Sequence, residues 1–255
     1  MFSVAIIAKN AADVIGSCIE SVSPLTTDIV VVVDSSSSDT TSAVAEKSGA
    51  RVFHRQFDDF ASQKNYAVSL TKFKWVLSLD ADETASEELI KEIKSAVPGT
   101  RFAAFAFPRI NYIFGKSIYH TNWSPASDKH VWLFDKTRSH WENAVHERVS
   151  VDGPVGSLSA PKYHFHYRTV EEFLHKTNQY TTLDISSGSQ SRFSSLIRPH
   201  WLRLILQPKW KFFRHYFLFA GFLDGWHGLF LSYLMAVYGA CLAVKSWQKQ
   251  NPHTS

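Results

Sequence analysis

The chain has 255 residues, 45% hydrophobic and 20% charged, with a formal net charge of +4. That balance excludes a disordered polyelectrolyte and leaves room for one substantial domain plus an appendage. Only two cysteines are present, Cys18 and Cys241, at opposite ends and on apolar helical faces. They exclude a disulfide framework and point to a cytoplasmic protein.

Phe2 to Ala8 predicts a first strand that runs straight into Lys9 and Asn10, so no N-terminal targeting leader is expected. Asn10 is expected to cap a helix whose buried stripe is Val14, Ile15, Cys18, Ile19 and Val22, closed by Pro24. Ile29 to Val33 is a β-branched run, the pattern of a strand covered on both faces, and it ends at Asp34. Asp39 is expected to cap the next helix and Gly49 to stop it, followed by a short strand from Arg51 to His54. A helix over Ser62 to Leu70 then leads to the segment FKWVLSLDADE, where a buried strand delivers Asp80, Asp82 and Glu83 at its carboxyl end. Ligands of open α/β sheets gather at that end, and carboxylates so close together suit a hard cation that bridges to a diphosphate. For Glu83 a simpler role competes, because Thr84 and Glu87 read as a capping box ahead of Leu89, Ile90, Ile93 and Val97.

Beyond Pro98, strands are expected at Phe102–Phe107, Val131–Phe134 and Tyr163–His166. Aromatic, histidine-rich loops are expected from Ile110 to Asp128 and from Ser139 to Val149, and loops on a rigid sheet are where substrates are usually recognised. Residues 170 to 189 read as helix. On a helix through Pro208 to Ala220, Trp210, Phe213, Phe217 and Ala220 fall on one side and Lys211, Arg214 and His215 on the other, the arrangement of a helix lying in a membrane interface. Gly228 to Val244 is uncharged but short for a span, which needs about 20 apolar residues. The basic, aromatic C-terminal quarter suits an anionic membrane surface; its helical periodicity does not suit nucleic acid.

Taken in order, IAKNAADVIGSCIES, VVVDSSSSDTT, GARVFHRQFDDFASQKNYAV and WVLSLDADE resemble glycosyltransferase family 2. AVHERVSVDGPVG, YHFHYRTVEEFLHKTNQY and YFLFAGFLDGWHGL are similar to the bacterial lipopolysaccharide core β-1,4-glucosyltransferase subgroup, peripheral enzymes of the cytoplasmic membrane. The resemblance implies an α/β GT-A (Rossmann-like) fold, a mixed, mostly parallel sheet flanked by helices, followed by an amphipathic, membrane-associating helical region. Residues 1–190 would form the transferase domain, with 1–100 binding the nucleotide sugar and 101–190 the acceptor, and 191–255 the helical membrane-interface region. It also implies Mg²⁺ or Mn²⁺ and a location on the cytoplasmic face of the inner membrane.

The implied chemistry is inverting transfer of a hexose, glucose from UDP-glucose, to a lipopolysaccharide core or other glycolipid. On that pattern Asp34 accepts from the nucleotide base, with an Asx-turn residue in a serine-rich loop as the plain alternative; Asp82 holds the metal, and Asp80 contacts ribose or metal. Lys64 reaches nucleotide or phosphate, with a solvated surface lysine as the plain alternative. Glu147 is the base, with His146 orienting it or packed as a strand residue; an ion pair to Arg148 or a nearby lysine is Glu147's rival role. His164 is a third metal ligand or diphosphate contact, and Arg168 a bidentate diphosphate contact. Four positions depart from the pattern: Ala11, Ser36, Thr40 and Trp132 replace glutamate, two glycines and arginine. Loss of the glycines restricts loop residues that need positive φ. Those departures motivate one alternative, a catalytically weakened membrane scaffold; a second alternative is a family 2 transferase for a polyprenyl-linked or peptide acceptor, which needs only a rebuilt acceptor loop.

Overall fold

The computed structural model describes residues 1–143, 147–186 and 200–251. The chain divides into two compact units, Met1–Ile110 with Asp128–Phe165 and Asn111–Ser127 with His166–Ser255.

The first unit begins with alternating strands and helices: β1 (Phe2–Ala8), α1 (Ile15–Val22), β2 (Ile29–Asp34), α2 (Thr41–Lys47), β3 (Arg51–Arg55), α3 (Phe60–Ser69) and β4 (Trp75–Asp80). It continues through β5 (Glu83–Ala85), α4 (Glu87–Ala96) and β6 (Ala104–Ile113), whose last residues enter the second unit together with β7 (Lys116–Ile118). The chain returns as β8 (Lys129–Asp135), β9 (Ser139–Glu142), β10 (Arg148–Val151), β11 (Val155–Ser157) and β12 (Lys162–Tyr167). The sheet runs β3-β2-β1-β4-β8-β6, parallel from β3 to β4 and antiparallel where β8 joins β4 and β6. This is the mixed, mostly parallel GT-A sheet.

Every residue of β2 is buried, as expected of a β-branched strand with helices on both faces. β1 lies between β2 and β4, pairing Ala8 with Val33 and Ile7 with Asp80. Three strands therefore end level, and Lys9, Asp34 and Asp80 emerge along one edge. Antiparallel pairing of β5 with β12 sets His164 opposite Glu83 and Lys162 opposite Ala85.

Local corrections follow from non-local pairing. Asn10 does not cap α1; its φ is 46°, and its Oδ1 instead accepts from Ser38 N at 2.9 Å and Ser37 Oγ at 3.1 Å, stitching the β1 and β2 loops together. Thr84 does not start α4, because residues 83–85 are extended against β12 and Ser86 becomes the cap, accepting from Leu89 N at 3.0 Å. The expected loop from Ser139 to Val149 contains a hairpin, β9 with β10. The expected loop after Ile110 holds the end of β6 and β7, paired antiparallel.

The second unit carries α5 (Val170–Ser186), α6 (His200–Phe213) and α7 (Trp226–Gln250), with α5 and α6 packed on α7. The expected continuous helix to Ala220 is broken: a π-helical turn spans Arg214–Leu218, and Ala220 has a φ of 54°. As a result His215 leaves the charged face. It is buried between Trp123 and Phe219, and burial, with Lys211 and Arg214 nearby, lowers its imidazole to a pKa of about 3. Phe213 and Phe217 remain exposed. α7 is 25 residues long and holds an 18-residue window of mean hydropathy 1.6, enough by length and composition to cross a membrane.

Candidate active site

At the carboxyl edge of the sheet, Asp34 closes β2 and is 4% exposed. Its Oδ1 accepts from Ser36 N at 3.0 Å, the Asx turn of its alternative role, and its Oδ2 pairs with Lys9 Nζ at 2.9 Å. Those two interactions hold its carboxyl at a pKa of about 2. The altered loop is well accommodated, because neither Ser36 nor Thr40 is among the described residues with positive φ.

Lys64 is drawn inward by α3. Asp59 caps that helix, accepting from Ser62 N at 2.9 Å, and one turn later Lys64 is only 5% exposed. Its Nζ lies 3.0 Å from Asp80 Oδ1 and 3.0 Å from Glu147 Oε1, and 4.6 Å from the Trp141 ring centroid. The solvated-lysine reading is thereby overturned. Burial alone would lower its pKa, and the charges of Asp80 and Glu147 overcome that and raise it. The neighbouring Asn65 exchanges two hydrogen bonds with the Trp141 backbone, each 2.9 Å, and so fixes β9 to α3. Glu147 is in the ion pair foreseen as its rival role, with Lys64 as the lysine.

Asp80 Oδ1 is buried and takes no well-oriented hydrogen bond, leaving the Lys64 ammonium as its partner, while the side chain as a whole is 35% exposed. Burial pushes the Asp80 carboxyl up; Lys64 and Lys162 outweigh it and hold the group well below the usual carboxylate range. Asp82 is 33% exposed, with its Oδ2 3.4 Å from His164 Nε2. Asp80, Asp82, His164, Lys64 and Glu147 are thus brought together within the first unit, and Asp34 stands at the same edge. Arg168 belongs to the second unit, where its backbone N–H donates to Glu172 at 2.8 Å. His146 lies outside the described residues.

The cluster beneath the acidic turn escaped the sequence reading. Glu83 is fully buried, with Oε2 2.6 Å from Lys162 Nζ and Oε1 3.1 Å from Arg109 Nη1. Lys162 and His164 alternate on one face of β12, and a lysine there among aromatics was the available signal.

As for a cation, no group of three His, Cys, Asp or Glu side chains is arranged to hold a metal ion among the described residues. Two partly exposed carboxylates beside an imidazole fit instead an ion that takes one or two protein carboxylates and completes its shell with phosphate oxygens and water.

The glycosyl transferase family 2 model matches residues 3–149, more than half of the chain. The chain belongs to that family. This family 2 glycosyltransferase is 30% identical over 244 residues to an uncharacterized glycosyltransferase of Rickettsia felis, covering 91% of this chain and 84% of the relative. It is 28% identical over 252 residues to LpsC of Rhizobium meliloti, a lipopolysaccharide core biosynthesis glycosyltransferase, covering 96% and 91%. Its fold matches the crystal structure of S. aureus TarS with a TM-score of 0.50 at 16% identity, over 96% of this chain and 55% of TarS.

Proposed function

We propose that this glycosyltransferase moves a hexose, glucose from UDP-glucose, to a lipopolysaccharide core or related glycolipid with inversion at the anomeric carbon. The observation that carries the reading is the buried Lys64 ammonium, 3.0 Å from Asp80 at the strand end and 3.0 Å from Glu147 beside β10. One cation thereby ties the acidic turn to a second carboxylate, Glu147, the base of this reading.

In this reading Asp34 accepts from the nucleotide base, Asp80 contacts ribose, and Lys64 contributes charge toward the diphosphate. Asp82 and Asp80, with His164 beside them as a further metal or diphosphate contact, would hold Mg²⁺ or Mn²⁺ together with phosphate oxygens, and the ion when bound supplies positive charge to the departing diphosphate. Glu147 accepts the acceptor hydroxyl proton as the hydroxyl oxygen bonds to the anomeric carbon and the bond to the diphosphate breaks, releasing UDP. His146 would orient Glu147.

In this reading the second unit attaches to an anionic membrane surface, on the cytoplasmic side. Trp201, Leu223 and Trp226 are 64%, 61% and 72% exposed, and Phe213, Phe217 and Tyr233 are exposed as well. Aromatic side chains in that number, with Lys and Arg between them, suit a lipid interface.

The test is transfer of radiolabelled glucose from UDP-glucose to a heptose-containing lipopolysaccharide core, with Glu147→Gln beside the wild type. Label entering the lipid, abolished in the variant, supports the reading. A Glu147→Gln enzyme as fast as wild type contradicts the assigned base, and no transfer from any nucleotide sugar would favour the scaffold.

A further inference from the structure

We infer that Glu83, with Lys162 and Arg109, is a buried positioning device for the acidic turn, setting where Asp80 and Asp82 present their carboxylates to the donor. The inference rests on the donor-site reading above.

Glu83 directly follows the D-x-D motif, yet it faces the interior, fully buried. Register explains why: β5 pairs with β12, which carries Lys162 past the same turn. Glu83 Oε2 accepts from the backbone N–H of Asp80 at 2.9 Å and from Lys162 Nζ at 2.6 Å. The carboxylate therefore closes the four-residue turn from within, on the side opposite solvent. Its Oε1 faces Arg109 from β6, and Arg109 Nε is in turn held by Asp128 Oδ2 at 2.8 Å. The Lys162 ammonium also sits 3.7 Å from the Trp132 ring centroid, so the residue that departs from the family pattern packs against this cluster.

A buried ion pair is a poor device for stability alone, because well-packed apolar residues of the same volume often do as well or better. It does fix geometry, since a charged oxygen accepting from two directions tolerates little displacement. The groups it fixes belong to the motif: Asp80 through its own N–H, and Asp82 between Asp80 and Glu83. Small misplacement of groups that hold a reacting diphosphate lowers turnover steeply. The pairing also removes Glu83 from the set of ligands, since both of its oxygens are engaged beneath the turn.

The test compares wild type with Glu83→Gln, Lys162→Met and the double variant, using calorimetric titration with UDP in the presence of Mn²⁺, thermal unfolding, and donor and acceptor KM in glucose transfer. Ile93→Val, a buried change on α4 away from the turn, serves as the destabilised control. Each single variant is expected to bind UDP with Mn²⁺ at least about tenfold more weakly and to raise donor KM with acceptor KM unmoved. The double variant is expected to be no worse than the weaker single, because the pair acts as a unit. Lys162→Met leaves Glu83 paired with Arg109, so it keeps the test sound if Glu83→Gln does not fold. Variants that bind as wild type does overturn the inference, as does an Ile93→Val control that loses as much affinity for the same loss of Tm. A folded wild type that binds no UDP with Mn²⁺ removes the donor-site reading, and this inference with it.

Discussion

Replacing Lys64 with methionine deletes one charge and removes two ion pairs at once, so it tests whether the acidic turn and Glu147 form one site. At an effective dielectric of about 20, each 3.0 Å contact contributes about 5 kcal/mol of attraction before desolvation. Burying the ammonium offsets most of that. Asp80 and Glu147 keep 35% and 22% exposure, so both can recover water once Lys64 is gone. The net stability loss should therefore be only about 1–2 kcal/mol, measured by urea unfolding. Turnover should fall much further, about 100-fold or more, because two groups lose their placement together. A double-mutant cycle with Glu147→Gln makes the claim quantitative in the glucose-transfer assay. Coupling above about 1 kcal/mol is expected, whereas additivity within about 0.5 kcal/mol would refute the linkage.

Asp34→Asn should flatten the acid limb of stability. The carboxyl of Asp34 is lowered to about 2, so its contribution is present above the ordinary carboxylate value and lost as pH falls through about 2. It is at most about 2 kcal/mol, and nearer 1 because Lys9 is 56% exposed; acid unfolding monitored by circular dichroism from pH 5 to 2 shows whether the variant loses that slope. Gly228→Ala should be severely destabilising, since an added Cβ would collide with the Gly221 carbonyl, and Tm should drop by several degrees; an unchanged Tm would contradict the packing at the start of α7. Leu223→Ser with Trp226→Ser should weaken sedimentation with vesicles rich in anionic lipid without altering Tm, and equal binding by wild type and variant would argue against that surface as the anchor.

The βαβ half was readable because its strands are continuous apolar runs and its helices carry regular buried stripes; Ile29–Val33 and the stripe through Cys18 and Ile19 behave as their local patterns dictate. The acidic turn was also readable, since its place follows from β4 ending level with β1. The surroundings of that turn were not. Burial of Glu83 and Lys162 depends on β5 meeting β12 across 79 positions of sequence, and no window around either residue encodes that meeting. The same holds for the β9–β10 hairpin, tied down by Asn65 on α3, and for the start of α4, where strand pairing moved the cap from Thr84 to Ser86. His215 was placed on the wrong face because the helical period fails at the π turn.

Calorimetric titration of the folded protein with UDP-glucose, with and without Mn²⁺ and alongside Asp82→Ala, tests the central claim most directly. Binding that requires the metal and disappears in the variant is the predicted result. Binding indifferent to both metal and Asp82, or no binding of UDP-glucose by the folded wild type, would contradict the donor site described above.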